Sequence, residues 1–342
     1  MKILFLAVGD ETIASSRTRV FQYLPYLQEY HIKSRVLIWL RPDLSRRTGY
    51  LYQGFTALTL LVLSLFYDMV FIQKVLLPRK YLRILKFLKR KMVFDFDDAV
   101  YTKHQSFENA TNSLIMQEIQ GRFQETISLV DLIVLENECT RQYAEQYNSN
   151  ILMIPGPIDT VRYFPARKEG GKKIVIGWIG SSSTTMYLEP FHPVMQRLSK
   201  EYQHICFKTI GATPLELPGV NMQQVPWNLD TEVNELQEFD IGIMPLCDDP
   251  WSRGKGGYKL LQYMALGIPS VASPVGINAL LIEDGMDGFL VEDEKEWYEK
   301  LVWLIENPDK RKEFGLKARR NAEERYSFVV AAPKLISELK KC

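Results

Sequence analysis

Along the first half of the chain, short apolar runs alternate with longer stretches whose apolar residues recur at helical spacing. The runs 3–8, 35–39, 69–73, 92–96, 132–135 and 151–154 predict strands. The stretches near 18–29, 50–66, 79–90, 112–129 and 137–147 predict helices between them. Strands this apolar, separated by helices, belong to a parallel sheet covered on both faces. Ligands of such a sheet bind beyond the carboxyl ends of its strands.

The pattern then restarts. Pro155-Gly156-Pro157 and the polar stretch 167–173, with Gly170-Gly171, extend neither helix nor sheet and predict a linker. Beyond it, 174–179, 205–210, 241–245, 269–272 and 288–291 predict strands, and 188–200, 233–238 and 258–266 predict helices. The end, from 295 onward, predicts helix broken at Asn307-Pro308. The expected organisation is a first domain over 1–157, a linker over 158–173 and a second domain over 174–326. A last helix, 327–342, is expected to return to the first domain.

A chain of 342 residues with 46% hydrophobic and 24% charged positions is long and apolar enough to fill two cores. A formal charge of +1 gives no general attraction to nucleic acid, and none is expected as a partner. Cys139, Cys206, Cys247 and Cys342 form no C-x-x-C pair, which argues for reduced thiols in the cytoplasm rather than zinc or disulfides. The opening run 3–8 is too short for a signal-peptide core. The uncharged segment 48–67 approaches the ~20 apolar residues that a membrane span needs, but polar residues interrupt it, so a helix packed on a sheet is expected. Residues 79–91 carry seven basic side chains and no acid, with Leu82, Leu85 and Leu88 on one helical face. That pattern fits a solvated outer helix or one binding an anionic membrane surface, and the latter is expected, peripherally at the inner face.

The densest chemistry lies in Arg253-Gly-Lys-Gly-Gly-Tyr-Lys-Leu-Leu-Gln-Tyr-Met-Ala-Leu-Gly-Ile-Pro-Ser-Val-Ala. A glycine loop (Gly254, Gly256, Gly257) opens a helix, so backbone can approach a ligand beneath the positive end of the helix dipole. Arg253, Lys255 and Lys259 add cations within one or two turns. Together they suit a diphosphate. A second candidate region follows the first strand, where Arg17 and Arg19 of Ala14-Ser-Ser-Arg-Thr-Arg-Val20 are placed to reach a phosphate or an acidic acceptor. An arginine here serves equally to brace a neighbouring carboxylate. A third closes the fourth strand: Asp95, Asp97 and Asp98 in Phe94-Asp-Phe-Asp-Asp cost too much there unless paired or used.

The 253–276 segment resembles the donor-binding segment of family 4 glycosyltransferases. Ile176-Gly-Trp-Ile-Gly-Ser181, Val225-Pro-Trp-Asn, Asp240-Ile-Gly-Ile-Met-Pro245 and Glu283-Asp-Gly-Met-Asp-Gly-Phe-Leu290 resemble further family motifs in the same order. The resemblance implies an α/β fold of the GT-B class, two Rossmann-like doubly wound domains facing across a cleft. It implies sugar transfer from a nucleotide-diphosphate sugar to a sugar or lipid-linked acceptor, retaining and without a cofactor or metal, in cell-surface polysaccharide or glycolipid synthesis. Donor contacts fall to Gly180, Ser181, Gly211, Trp227, Arg253, Gly256, Gly257, Tyr258 and Gln262. Catalytic roles fall to Asp97, Asp98, Lys255 and Lys259, with Asp97 and Asp98 matching a His-Asp pair without its histidine.

Two departures stand out. The family commonly carries two glutamates eight positions apart across the donor helix, and here those positions are Gly254 and Gln262. Gln262 still offers donor and acceptor to a ribose, whereas Gly254 replaces no carboxylate. A nucleotide-sugar epimerase and a non-catalytic scaffold of a polysaccharide assembly are therefore the rival readings. A nicotinamide oxidoreductase is disfavoured, because Gly9-Asp-Glu-Thr-Ile-Ala is not G-x-G-x-x-G. Asp95-Phe96-Asp97 also spells the D-x-D of metal-dependent transferases, a reading disfavoured by the second sheet with its own anion-binding loop. His192 is expected to be structural, and His104 is a minor candidate for acceptor contact.

Overall fold

The computed structural model describes residues 1–40, 44–102, 113–166 and 173–342, with the side chains at 46 and 113 excepted. His104 and most of the 167–173 stretch lie outside the described residues. The chain divides into two compact units, Met1–Pro155 with Gly254–Gly256 and Phe328–Cys342, and Gly156–Arg253 with Gly257–Ser327.

The first unit runs β1 (Lys2–Ala7), α1 (Ala14–Arg19), a 3-10 turn (Phe21–Tyr23), α2 (Leu24–Glu29), β2 (Lys33–Ile38) and α3 (Arg46–Ser64). It continues through β3 (Met69–Gln73), α4 (Arg79–Phe87), β4 (Lys91–Asp95), α5 (Ser113–Leu129), β5 (Leu132–Leu135), α6 (Glu138–Glu145) and β6 (Ile151–Met153). All neighbours in the sheet β2-β1-β3-β4-β5-β6 are parallel. Strand alternation sends Leu4, Leu6, Val70, Ile72, Met92 and Phe94 to one face, with Leu60, Leu82, Leu85 and Phe123 from α3 to α5. Ile3, Phe5, Met69, Phe71 and Val93 go to the other. Both faces are apolar because helices cover both.

The second unit has β7 (Ile174–Ile179), a 3-10 segment (Ser182–Leu188), α7 (His192–Glu201), β8 (Ile205–Ile210), β9 (Met222–Val225), α8 (Glu232–Gln237) and β10 (Ile241–Met244). Then come α9 (Pro250–Arg253), α10 (Tyr258–Ala265), β11 (Ser270–Ala272), α11 (Asn278–Leu281), β12 (Gly288–Leu290), α12 (Glu294–Glu306) and α13 (Pro308–Arg325). Its sheet, β12-β11-β10-β7-β8-β9, is also parallel throughout. The last helix, α14 (Phe328–Lys341), belongs to the first unit, where Phe328, Ala332, Leu335 and Ile336 fill the α1 and α2 side of the core.

The boundary near the expected linker is revised. Residues 158–166 are not a spacer, because Ile158 and Tyr163 are fully buried in the second unit's core. The Arg319 guanidinium holds this strap by donating to the carbonyls of Thr160 at 2.9 Å, Tyr163 at 2.6 Å and Ala265. Among the described residues no helix is long and apolar enough to cross a membrane. The 48–67 segment is largely α3, buried through Ala57 and Leu60.

Candidate functional site

Each sheet reverses its strand order once, between β1 and β3 in the first unit and between β7 and β10 in the second. Chains leaving such a switch point diverge to opposite faces and leave a crevice at the strand ends. The candidate residues collect at these two places.

In the first unit the arginines turn inward. Arg19 is 1% exposed. Its Nε donates to Asp95 at 3.1 and 3.0 Å, Nη2 to Asp95 at 2.5 Å, and Nη1 to Glu136 at 2.9 Å. The two-point contact on Asp95 is the strongest arginine geometry. This corrects the expectation of acceptor contact, since Arg19 braces carboxylates at the ends of β4 and β5. Arg17 is also buried and donates to the Glu11 carbonyl at 2.9 Å. Ser16 receives the Gly9 amide and donates to Gln73, whose Oε1 also receives the Val8 amide.

One cation between two buried carboxylates leaves one negative charge over. Burial pushes Asp95 above its ordinary range, opposed by Arg19. Burial pushes Glu136 well above its own, Arg19 opposing it and the charges of Asp97, Asp95 and Asp98 adding to it. With a single contact to Arg19 against the two-point contact on Asp95, Glu136 is the less compensated of the two carboxylates. Folding thus raises the Glu136 pKa above 4.5. Above that pH the folded chain holds more protons than the unfolded one, and the stability owed to this group fades as pH climbs toward the folded value. Glu136→Gln should therefore gain stability relative to the parent as pH rises above 4.5, measured by urea unfolding across a pH series. Parallel curves would show that Glu136 does not titrate in this way.

Beside them, Lys74 pairs with Asp97 at 2.8 Å and with Asp98. Burial works against its charge, and the two carboxylates outweigh burial and raise its pKa. Asp97 and Asp98 remain partly exposed, at 17% and 27% of their side chains. Lys74 and Glu136 were missed in the sequence. The available signal was a charged residue directly after a strand, following Gln73 at the end of β3 and the all-apolar β5.

Gly254–Gly256 packs with this same unit. Asn137, which caps α6 through Thr140, donates to the Lys255 carbonyl at 2.9 Å. At Gly256 a Cβ would lie 1.6 Å from the Glu136 carboxylate, so a side chain there would displace that carboxylate.

In the second unit, the β7 and β8 ends lie side by side as parallel neighbours. The Gly180 amide donates to the Ile210 carbonyl and the Gly211 amide to Val225, both within the sheet. Gly180 is therefore not an anion donor, as its place in the first turn suggested. Its role is space, since a Cβ there would strike Trp178 at 2.4 Å and Thr184 at 2.7 Å. Ser181 is exposed and its hydroxyl meets that of Ser183 at 3.0 Å. Trp227 donates its ring N–H to Glu232, which also receives the Tyr163 hydroxyl. Gln262 donates to that hydroxyl at 3.2 Å and is 3% exposed, so burial takes it from the ribose role into this network. Tyr258 donates to the same hydroxyl at 3.5 Å. His192 stays structural, its Nε2 3.2 Å from the Pro218 carbonyl.

The donor loop is only partly as expected. Arg253 is held in a two-point contact by Asp248, at 2.6 and 2.8 Å, with both side chains exposed. Asp249 caps the short α9 by receiving the Trp251 and Ser252 amides. Gly257 takes a φ of 70° and starts α10, whose N-terminus no side chain caps. Such a start presents first-turn amides and the positive dipole end. Lys259, on that first turn, sits 5.0 Å over the Trp178 ring, beside the β7 end.

These strands, turns and the helix fall within residues 174–307, which match the family model described as Glycosyl transferases group 1. Residues 174–307 form a group 1 glycosyltransferase domain. The chain is 32% identical over 99 residues to spore coat protein SA of Bacillus subtilis, 28% of this chain and 26% of that protein. It spans about a quarter of the length of the curated relatives it matches. Among solved structures, HepE of Anabaena in complex with UDP and glucose superposes with a TM-score of 0.67 at 15% identity, covering 100% of both chains. Sucrose-phosphate synthase of Thermosynechococcus elongatus gives 0.74 at 10% identity, over 100% of this chain and 98% of that one. The fold is GT-B, with a glycosyltransferase domain in its second unit.

Proposed function

We propose that this chain transfers a sugar from a nucleoside-diphosphate sugar to an acceptor hydroxyl, with retention and without a metal ion, in cell-surface polysaccharide or glycolipid synthesis. The observation that carries the reading is Lys259 on the uncapped first turn of α10, inside the glycosyltransferase domain. A cation and aligned amides stabilise a departing diphosphate, the main electrostatic task of such a reaction. Similar structures were obtained with UDP, and one with UDP-glucose, which makes UDP the first nucleotide to test. In this reading Lys255 adds charge beside the diphosphate, and Asp97 and Asp98 serve the acceptor hydroxyl. Front-face attack, the leaving phosphate taking the proton, follows from the family resemblance. Metal-free transfer is supported by the pairing of Asp95 and Asp97 with Arg19 and Lys74, since a D-x-D site needs those carboxylates for the ion.

Lys259→Ala should weaken UDP binding by about 10–100-fold, as expected for one charged hydrogen bond of ~1.5–3 kcal/mol. Calorimetry with UDP reads this directly, and unchanged affinity would remove Lys259 from the site. Transfer should persist in EDTA, whereas a loss restored by manganese would overturn the metal-free reading. The buried Gln262 and the absent carboxylate at Gly254 favour the scaffold as the second reading. A folded chain that binds no nucleoside diphosphate would establish it.

A further inference from the structure

The outer face of α3 is apolar where solvent should make it polar. Leu51, Phe55, Leu58, Val62 and Leu65 recur at steps of four and three, and they are 76, 68, 59, 51 and 54% exposed. Phe66 continues the stripe at 66% exposure. The helix does not carry this face for its own packing, because Ala57 and Leu60 supply the buried side. On the neighbouring α4, Phe87 is 85% and Ile84 40% exposed. Arg90 ties the ends of the two helices together, donating to the Ser64 and Tyr67 carbonyls at 3.4 and 3.1 Å. A contiguous exposed apolar surface of this kind marks an interaction site.

Charge selects the occupant. Neither α3 nor α4 contains an acidic residue. On the far side of α4, Glu125 takes Arg79 and Arg83, and Asp131 takes Lys86. Among the described residues no carboxylate pairs with Lys80, Lys89 or Lys91, all of them exposed. A second copy laid on α3 would bring two cationic rims together, whereas anionic headgroups complement them. The exposed rings also widen the surface beyond the narrow seam of a paired helix. An in-plane helix with its apolar face in the headgroup and acyl boundary has this composition.

We propose that α3 and α4 dock the chain on a bilayer rich in anionic lipid, with Leu51, Phe55, Leu58, Val62 and Phe87 inserted and Lys80 and Lys89 among the headgroups. The proposal is independent of the reaction, because it needs neither nucleotide nor acceptor.

Flotation of the full chain with vesicles tests it. The chain should rise with phosphatidylcholine–phosphatidylglycerol vesicles, stay below with phosphatidylcholine alone, and be released by salt. Phe55→Ser with Leu58→Ser should lower the partition coefficient by at least about tenfold, through lost apolar burial. Lys80→Glu with Lys89→Glu should lower it by about fivefold or more per charge. All four positions are exposed, so circular dichroism and the melting curve should match the parent. The proposal is overturned if the parent ignores anionic vesicles, or if the serine variant floats equally well. It is also overturned if light scattering shows a dimer that the serine variant dissolves while vesicles capture neither protein.

Discussion

Arg19→Met is expected to lower the unfolding free energy by about 3–5 kcal/mol, the usual result of removing one partner from a buried ion pair. Urea unfolding reads the loss. Methionine keeps most of the length and apolar volume, so the change isolates the guanidinium. Asp95, 1% exposed, then keeps a negative charge or takes a proton at a cost, and Glu136 loses the cation that it pairs with at 2.9 Å. The loss should shrink when Asp95 and Glu136 are also replaced by apolar residues, because no stranded charge remains. A single-variant loss under about 1 kcal/mol would place water or another cation at the carboxylates.

Gly211→Ala is expected to cost about 3 kcal/mol or more and to abolish measurable UDP binding. The left-handed backbone, with φ at 75°, costs a non-glycine residue about 1–2 kcal/mol. The rest is steric, because the new Cβ would lie 2.4 Å from the Gly180 carbonyl oxygen and 3.0 Å from Trp227 Cβ. A carbonyl cannot rotate away as a side-chain end does, so the β7 and β8 ends must part. That opening moves both the β7 turn and the Trp227 loop, which carry the donor reading. Thermal melting and UDP titration measured together test it. A destabilised variant with unaltered UDP affinity would separate these strand ends from the nucleotide site.

Architecture was legible because parallel strands buried on both faces leave an unbroken apolar run, as in 69–72 and 132–135, which lie in β3 and β5. Short elements were not. β9 is Met-Gln-Gln-Val, a polar edge strand with one neighbour, and its composition carries no strand signal. α9 is only four residues, although Asp249 before Pro250 was a readable start. Candidate residues were found by place more than by role. The spacing of Arg17 and Arg19 put them at a strand end, but whether a guanidinium faces solvent or a carboxylate depends on Asp95 and Glu136, 76 and 117 positions away. Gln262 failed as a ribose contact for the same reason: Tyr163, 99 positions distant, claims its amide. Lys74 was overlooked because its left-handed φ of 58° turns it back over Asp97 and Asp98, a geometry no periodicity encodes.

The position of α14 has a consequence for biosynthesis. One side of the first sheet, covered only in part by α1 and α2, is not closed until residues 328–341 have left the ribosome, and the entire second unit is translated before them. At about 5–20 residues per second, that delay lasts roughly 10–40 s. The amino-terminal unit, though made first, is the last to close. During that interval Phe5, Phe71 and Val93 present a sticky surface that chaperones would be expected to shield.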